Sequence, residues 1–465
     1  MAHHQRALDT VDHMSPPDER LRLELSIRLG DALTHVDPQR GRQVLADAAR
    51  RARELDDAAA FADAVCAMAI LGGSMSPGSD DPTFIAYAEE ALALLRPEHE
   101  AWHIRVLATL GSHLGLGSQP ERGRELVRDA LERARKLGDE YVLARTLMSA
   151  PYVLAARTFD EHVAACRELV ELGHTVGSQA IARTACGYLR LSYRQVGDFT
   201  QMRHWTAVGR RLGAPATLNE LWYDAAEPII EGDLELAEER LSAVAAAAAA
   251  LHVTPVYVGS LRLQLDFVRG KDPLDWLQAA FSDMSMAGRV TQAALALALT
   301  NRGQTDEAGA LLDTVSAPGF KALPKTITST LALAIWAEVA ASLRNHAAAA
   351  ELLELLDPKA GELADGGFVW SSIDHARALL MLSLGDAAGA VRAAEAAVAA
   401  SRRRGTRLFL GRELVVLAAA LRAVGADEPD VRAHVDEAVA IADGTGALII
   451  RQDAARHGLG TAAAT

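Results

Sequence analysis

The chain of 465 residues is half hydrophobic yet only 5% aromatic, so alanine and other small aliphatic residues must do most of the burying. With 23% charged residues and a mean hydropathy of +0.06, it has the make-up of a core-forming chain rather than a disordered one. A net charge of −14 argues against a protein that wraps nucleic acid, and three scattered cysteines exclude a disulfide framework or a cysteine-rich zinc site.

Residues 1–20 hold no apolar stretch of the export-signal kind and read as an N-terminal segment, partly disordered. His3, His4 and His13 make a weak metal pattern there, which a disordered terminus explains. From 21 to 446 one continuous repeat array is expected, with 447–465 left as a C-terminal tail. The repeat is a small or apolar residue with partners at +4 and +7, often just after a Gly-Asp turn. Gly385-Asp386 leading to Ala390, Ala394 and Ala397 shows it best, and Gly232-Asp233 leads to Ala237, Leu241 and Val244 in the same way. The anchors are Gly41, Phe84, Gly123, His162, Met202, Ala237, Pro273, Ala308, Ala349, Ala390 and Val431, spaced by 39 residues on average. Spacings of +4 and +7 share one helix face, where a small first residue lets a neighbouring helix come close. The Gly-Asp pair ends one helix and caps the next. Each unit is then a helix–turn–helix pair, and stacked pairs bury a continuous core.

Residues 99–103 read His-Glu-Ala-Trp-His, a formal zinc-peptidase match. On a helix His99 and His103 would share a face and bind zinc, with Glu100 as general base. A third ligand is wanting: Val106 and Thr109 stand where the metzincin extension needs Gly and His, and Glu121, Glu125 and His113 are loose nominees. Pro97 marks a helix start, so the segment also reads as an ordinary first helix of a repeat. Cys66, Cys166 and Cys186 have alanine neighbours and read as small buried residues. The apolar runs at 243–251 and 331–343 are too short to span a membrane, and Glu338 interrupts the second. Strand signals are almost absent, since VTPVYV at 253–258 is broken by Pro255. Longer breaks fall at 72–83, 213–217 and 357–367. Asp374-His375 lacks a partner serine, and Arg402-Arg403-Arg404 closes a helix where cations suit the dipole.

The anchor pattern resembles tetratricopeptide repeats, though its period exceeds the usual 34. The long period, with Gly319-Phe320 and Leu323-Pro324 before a long apolar helix and the GGFVWSS segment at 366–372, resembles a particular region. That region is the helical-repeat part of actinobacterial ATPase-linked LuxR-type regulators and class III cyclase–ATPase fusions. ERGRELVRDALERARKLGD at 121–139 fits it too, and the likeness runs from about residue 6 to about 445. The ATPase, cyclase and DNA-binding modules are not present here: the one Gly-Lys, Gly270-Lys271, is followed by Asp272 rather than Ser or Thr. The resemblance therefore implies a repeat region that binds partners or effectors.

The expected fold is an all-α, tetratricopeptide-like right-handed superhelix of about eleven helix pairs. Its expected role is a cytoplasmic, non-enzymatic scaffold in signalling or transcription regulation. It would bind a protein, an ATPase or transcription regulator by the resemblance, through its concave face, without cofactor, direct nucleic acid or membrane. The alternative is the zinc peptidase at 99–103. Counting back from the anchors puts Ala108, Leu147, Gly187, Trp222 and His375 at inward positions, without the Lys, Asn and Arg of a carboxylate clamp. Isolated aromatics remain there, and Trp222, Tyr223, Trp370 and His375 are the candidate partner contacts, with Trp336 beside them. The repeat begins with no polar capping helix ahead of it, so a free-standing adaptor and the arm of a longer regulator both fit its start.

Overall fold

The computed structural model describes residues 6, 18–34, 37–69, 81–117, 119–153, 158–213, 218–250, 255–282, 289–323, 328–366 and 368–460. The expectations placed on His3, His4, His13 and most of residues 1–20 lie outside them.

The architecture is all-α. Alanine- and leucine-rich segments between capped turns form eleven successive helix pairs and a closing helix among the described residues. The first five pairs are α1 (Glu19–Leu33) with α2 (Pro38–Glu54), α3 (Ala58–Met68) with α4 (Pro82–Leu94), α5 (Glu100–Leu116) with α6 (Pro120–Leu137), α7 (Glu140–Val153) with α8 (Phe159–Thr175), and α9 (Gln179–Gln195) with α10 (Phe199–Arg211). Next come α11 (Leu218–Glu231) with α12 (Leu234–Ala250), α13 (Pro255–Val268) with α14 (Leu274–Ser282), and α15 (Arg289–Asn301) with α16 (Thr305–Ser316). The last are α17 (Ser329–Ser342) with α18 (His346–Leu356), α19 (Ile373–Ser383) with α20 (Ala387–Arg404), α21 (Arg407–Ala423) with α22 (Glu428–Thr445), and the lone α23 (Leu448–Arg456). Odd-numbered helices are thus the first of each pair.

Ten of the eleven anchors lie within even-numbered helices, and Pro273 directly precedes α14. Ala308, Ala349 and Ala390 have no exposed surface, and Phe84, Met202, Ala237 and Val431 are buried with them. The Gly-Asp turns work as the residues require. Gly197, Gly232 and Gly385 take φ of 72°, 83° and 85°, a region that costs other residues a Cβ clash. The carboxylates of Asp198, Asp233 and Asp386 then accept from the N–H groups of Gln201, Leu236 and Gly389 at 3.0, 3.0 and 2.8 Å, capping the next helix. At Gly123 a Cβ would overlap the backbone of Gly111 and Gly115, so α5 and α6 touch main chain to main chain.

The chain divides into two compact units. Unit 1 is Met1–Ser192, His204–Pro215 and Ala247–Thr254; unit 2 is Tyr193–Arg203, Ala216–Ala246 and Pro255–Thr465. In unit 1 each odd helix packs beside the next, α1 on α3, α3 on α5 and α5 on α7. In unit 2 odd helices far apart in sequence also meet, α11 on α21 and α13 on α23.

Two segments differ from expectation. The 357–367 break is the start of an antiparallel hairpin, β1 (Leu363–Asp365) and β2 (Val369–Ser372), pairing Leu363 with Ser372 and Asp365 with Val369. Alternation gave no sign of it because β2 is buried on both faces. The segment set aside as a tail carries α23, whose Ile449, Ile450, Asp453 and Ala454 are buried; its short length and mixed polarity hid the periodicity. No helix among the described residues is long and apolar enough to cross a membrane.

Candidate functional site

Unit 2 builds its most elaborate side-chain arrangement on the odd-helix face, around the hairpin. Glu338 comes from the middle of α17, Gln264 and Phe267 from α13, Arg412 and Glu413 from α21, and Asp453 from α23. One Glu338 oxygen accepts the Trp370 indole N–H at 2.6 Å, and the other accepts from Arg412 at 2.8 Å. Arg412 Nε donates to Asp453 at 2.8 Å, and Arg456 donates to the other Asp453 oxygen at the same distance. The Arg412 guanidinium lies 5.6 Å over the Trp370 ring, and Phe267 meets that ring edge-on at 5.4 Å. The Gln264 amide donates to the main-chain carbonyl of Val369. At the other strand Arg194, in the end of α9 that belongs to unit 2, forks onto Asp365 with two bonds of 2.8 Å.

Charges this deep are tolerable only when paired. Burial opposes the charge on Arg412, but Asp453 and Glu338 outweigh it and hold its pKa above the ordinary guanidinium value. Burial likewise works against Asp453, and Arg412 and Arg456 overcome it to keep the carboxyl below its usual range. For His375 the pull of Asp453 is too small to win. Burial, with Arg412 beside it, pushes it down to about 3, so it is neutral at pH 7. Both its ring nitrogens lack a hydrogen-bond partner, with Nε2 3.9 Å from Glu338. Burial raises the Glu413 carboxyl although Ser372 donates to it at 2.6 Å.

Unit 1 presents the same helix face with a different content. Arg105 of α5 is held 3.2 Å from Asp63 of α3, with its guanidinium 4.1 Å over Trp102 and 5.8 Å from the Tyr141 ring of α7. Burial raises the Asp63 carboxyl against the pull of Arg105 and Arg145. Tyr188 of α9 donates to the Met148 carbonyl of α7 at 2.9 Å. Tyr141 is 46% exposed, and Trp102 and Arg145 are half-buried, so this row reaches solvent.

Of the residues singled out from sequence, Trp222 is buried and meets Tyr223 edge-on at 5.1 Å. Tyr223 is half-buried, with Arg194 over its ring at 4.9 Å. Trp370 and His375 sit inside unit 2, at 4% and 2% exposed, and Trp336 is fully buried. Of the other inward positions, Ala108 and Leu147 are core residues as well, whereas Gly187 has nothing within 4 Å of where a Cβ would stand. His99 ends a 3-10 turn and precedes α5, its Nδ1 accepting from the Arg96 N–H at 3.2 Å. Both Glu100 oxygens are held by Arg133 at 2.9 and 2.7 Å, which lowers that carboxyl and makes it a weaker base. Burial lowers His103. Among the described residues no three His, Cys, Asp or Glu side chains gather where they could hold a metal ion. His113 accepts from the Asp81 N–H at 2.9 Å, and the three cysteines are buried.

Reading by aromatic residues missed Glu338, Arg412, Asp453 and Gln264. The signal was present for two of them: charges inside a long apolar stretch, Glu338 in 331–343 and Arg412 beside Glu413 in 408–420, need buried partners.

No protein-family model matches the chain, and no curated protein does. Among solved structures it is similar to one titled "Circular tandem repeat protein with novel repeat topology and enhanced subunit contact surfaces". The two are 15% identical over 98% of this chain and 90% of the other, with a TM-score of 0.13, a score that carries no argument about this chain.

Proposed function

We propose that the chain is a non-enzymatic interaction protein that binds a protein partner through the odd-helix face of unit 1. The row of Asp63, Trp102, Arg105 and Tyr141 across α3, α5 and α7 is the observation that carries this reading. It joins large aromatic surface to a guanidinium, the residue types that dominate binding energy where proteins meet. Stacked helix pairs leave such rows as extended surfaces. By the resemblance, the partner belongs to signalling or transcription regulation, an ATPase or a transcription regulator, met in the cytoplasm.

A photocrosslinking residue in place of Tyr141 tests the reading in cells. A discrete protein should crosslink from position 141 and not from Glu132 on α6. No adduct, or the same adducts from both positions, would overturn it. The purified chain is expected to hydrolyse no ATP. Stoichiometric zinc, lost in a His99→Ala, His103→Ala variant, would replace the reading with the peptidase.

A further inference from the structure

The odd-helix face of unit 2 also reads as a binding surface, and its occupant is already in place. We infer that Gln264, Phe267, Glu338 and Arg412 form a cradle for an extended, tryptophan-bearing peptide segment, and that the hairpin strands Leu363–Asp365 and Val369–Ser372 are its resident, displaceable ligand. This deepens the binding reading above by giving a second surface and the chemistry it selects.

The hairpin cannot hold itself. Its strands have three and four residues, with an irregular register between Leu363 and Asp365, well below what a two-stranded ribbon needs in water. Its conformation is imposed from outside, by side chains of several helices. Gln264 of α13 grips a main-chain carbonyl, which reads the backbone whatever its sequence. Glu338 of α17 takes the indole N–H, Arg412 of α21 covers the indole face and Phe267 meets its edge, which together read tryptophan. Main-chain contacts for affinity and a side-chain pocket for specificity are how grooves recognise extended peptides.

The fit is also incomplete. Gln264 Oε1, both nitrogens of His375 and the Ser371 hydroxyl are buried without a hydrogen-bond partner. Each such group costs free energy that a better occupant would recover, for instance one offering an N–H to Gln264 Oε1. A partner segment with an aliphatic residue before its tryptophan and a free main-chain N–H opposite Gln264 therefore competes with the hairpin on favourable terms.

The test uses the full chain. Trp370→Ala should empty the indole pocket, and a labelled peptide of residues 366–373 should then bind at least tenfold more tightly than it binds the unaltered chain. The same peptide with alanine for tryptophan should lose that gain. A folded Trp370→Ala chain that binds the peptide no better than the unaltered one overturns the inference. Hydrogen exchange on the unaltered protein decides the matter should that variant not fold. A displaceable hairpin exchanges its amides, Gly366 and Ile373 among them, before the cores of α17 and α21. Equal protection of hairpin and helices makes it fixed core and overturns the inference. The Tyr141 crosslink does not use the hairpin, so failure here and failure of the binding reading are separately visible.

Discussion

Units 1 and 2 are made from the same helix pair and both pair charges across even helices at the surface, as Arg402 with Glu437 does in unit 2 at 2.6 Å, but they differ in what they bury between odd helices. In unit 1 charges bridge neighbouring repeats at the surface of the even helices: Arg53 with Glu90 at 2.6 Å, Arg122 with Glu89 at 2.7 Å and Arg135 with Glu168 at 3.5 Å. Unit 2 also bridges odd helices in the interior, through the buried Glu338, Arg412 and Asp453, where unit 1 has the partly exposed pair of Arg105 and Asp63. The first arrangement costs little and gains little. The second carries a desolvation penalty for every ion and repays it only while all partners stay in place. One repeat can thus supply either an exposed face or a second core, and the placement of a few charged residues decides which.

The sharpest way to break this contrast is Arg412→Met. It leaves Glu338 and Asp453 buried without their shared cation, and removing one partner of a buried pair costs about 3–5 kcal/mol. Urea denaturation should show that loss, and hydrogen exchange should place it in the helices of unit 2. A loss below about 1 kcal/mol would mean that water already reaches the network.

Gly123→Ala probes unit 1 on the same scale. The new methyl meets the backbone of Gly111 and Gly115, which cannot rotate away, and overpacking of this kind costs about 1–3 kcal/mol. Gly187→Ala in α9 is the matched control. Nothing lies within 4 Å of its Cβ, so helix propensity alone acts and the change should stabilise by about 0.4–1 kcal/mol.

These glycines also mark how far the sequence could be read. The Gly-Asp turns repeat, and repetition exposes a local rule: a left-handed glycine and a capping aspartate recur at 197–198, 232–233 and 385–386, two of the three before a small alanine anchor. The helix pairs were legible for that reason. The hairpin and the charge network occur once. Trp370 is an isolated aromatic in sequence, and only packing of α13, α17 and α21 around it turns it into a bound group. The surface row of unit 1 escaped for a related reason. Arg105 and Tyr141 are 36 residues apart and look like ordinary helix residues until adjacent odd helices bring them together.

Acid should separate the two units next. The folded pKa of His375, about 3, lies below its unfolded value of about 6.5, so its contribution is present above pH 6.5 and lost as pH falls. One such group costs about 1.4 kcal/mol per pH unit between the two values. His457 and, in unit 1, His103 shift the same way, and the raised Glu413 carboxyl acts in the opposite sense. Urea midpoints from pH 7.5 to 4.5 for the unaltered chain and His375→Leu isolate the single group. The variant should lose stability less steeply, by about one proton's worth; identical slopes would show His375 taking up its proton in the folded state.

The smallest expected effect tests the other half of the comparison. Arg53 forks onto Glu90 with bonds of 2.7 and 2.6 Å, and its guanidinium also lies 5.1 Å over Phe61 and 5.6 Å over Tyr87. Its pKa is raised by that hydrogen bonding, yet both side chains are more than a third exposed, so solvent and salt screen most of the attraction. A double-mutant cycle of Arg53→Gln and Glu90→Gln should give a coupling of about 0.2–1 kcal/mol that shrinks in high salt. Arg53→Gln alone should cost somewhat more than the coupling, because it also strips the guanidinium from two aromatic rings, a contact worth about 0.5–1 kcal/mol at exposed sites. A salt-insensitive coupling well above 1 kcal/mol would put Arg53 in the same class as Arg412, and the contrast between a surface ladder and a buried network would then rest on geometry alone.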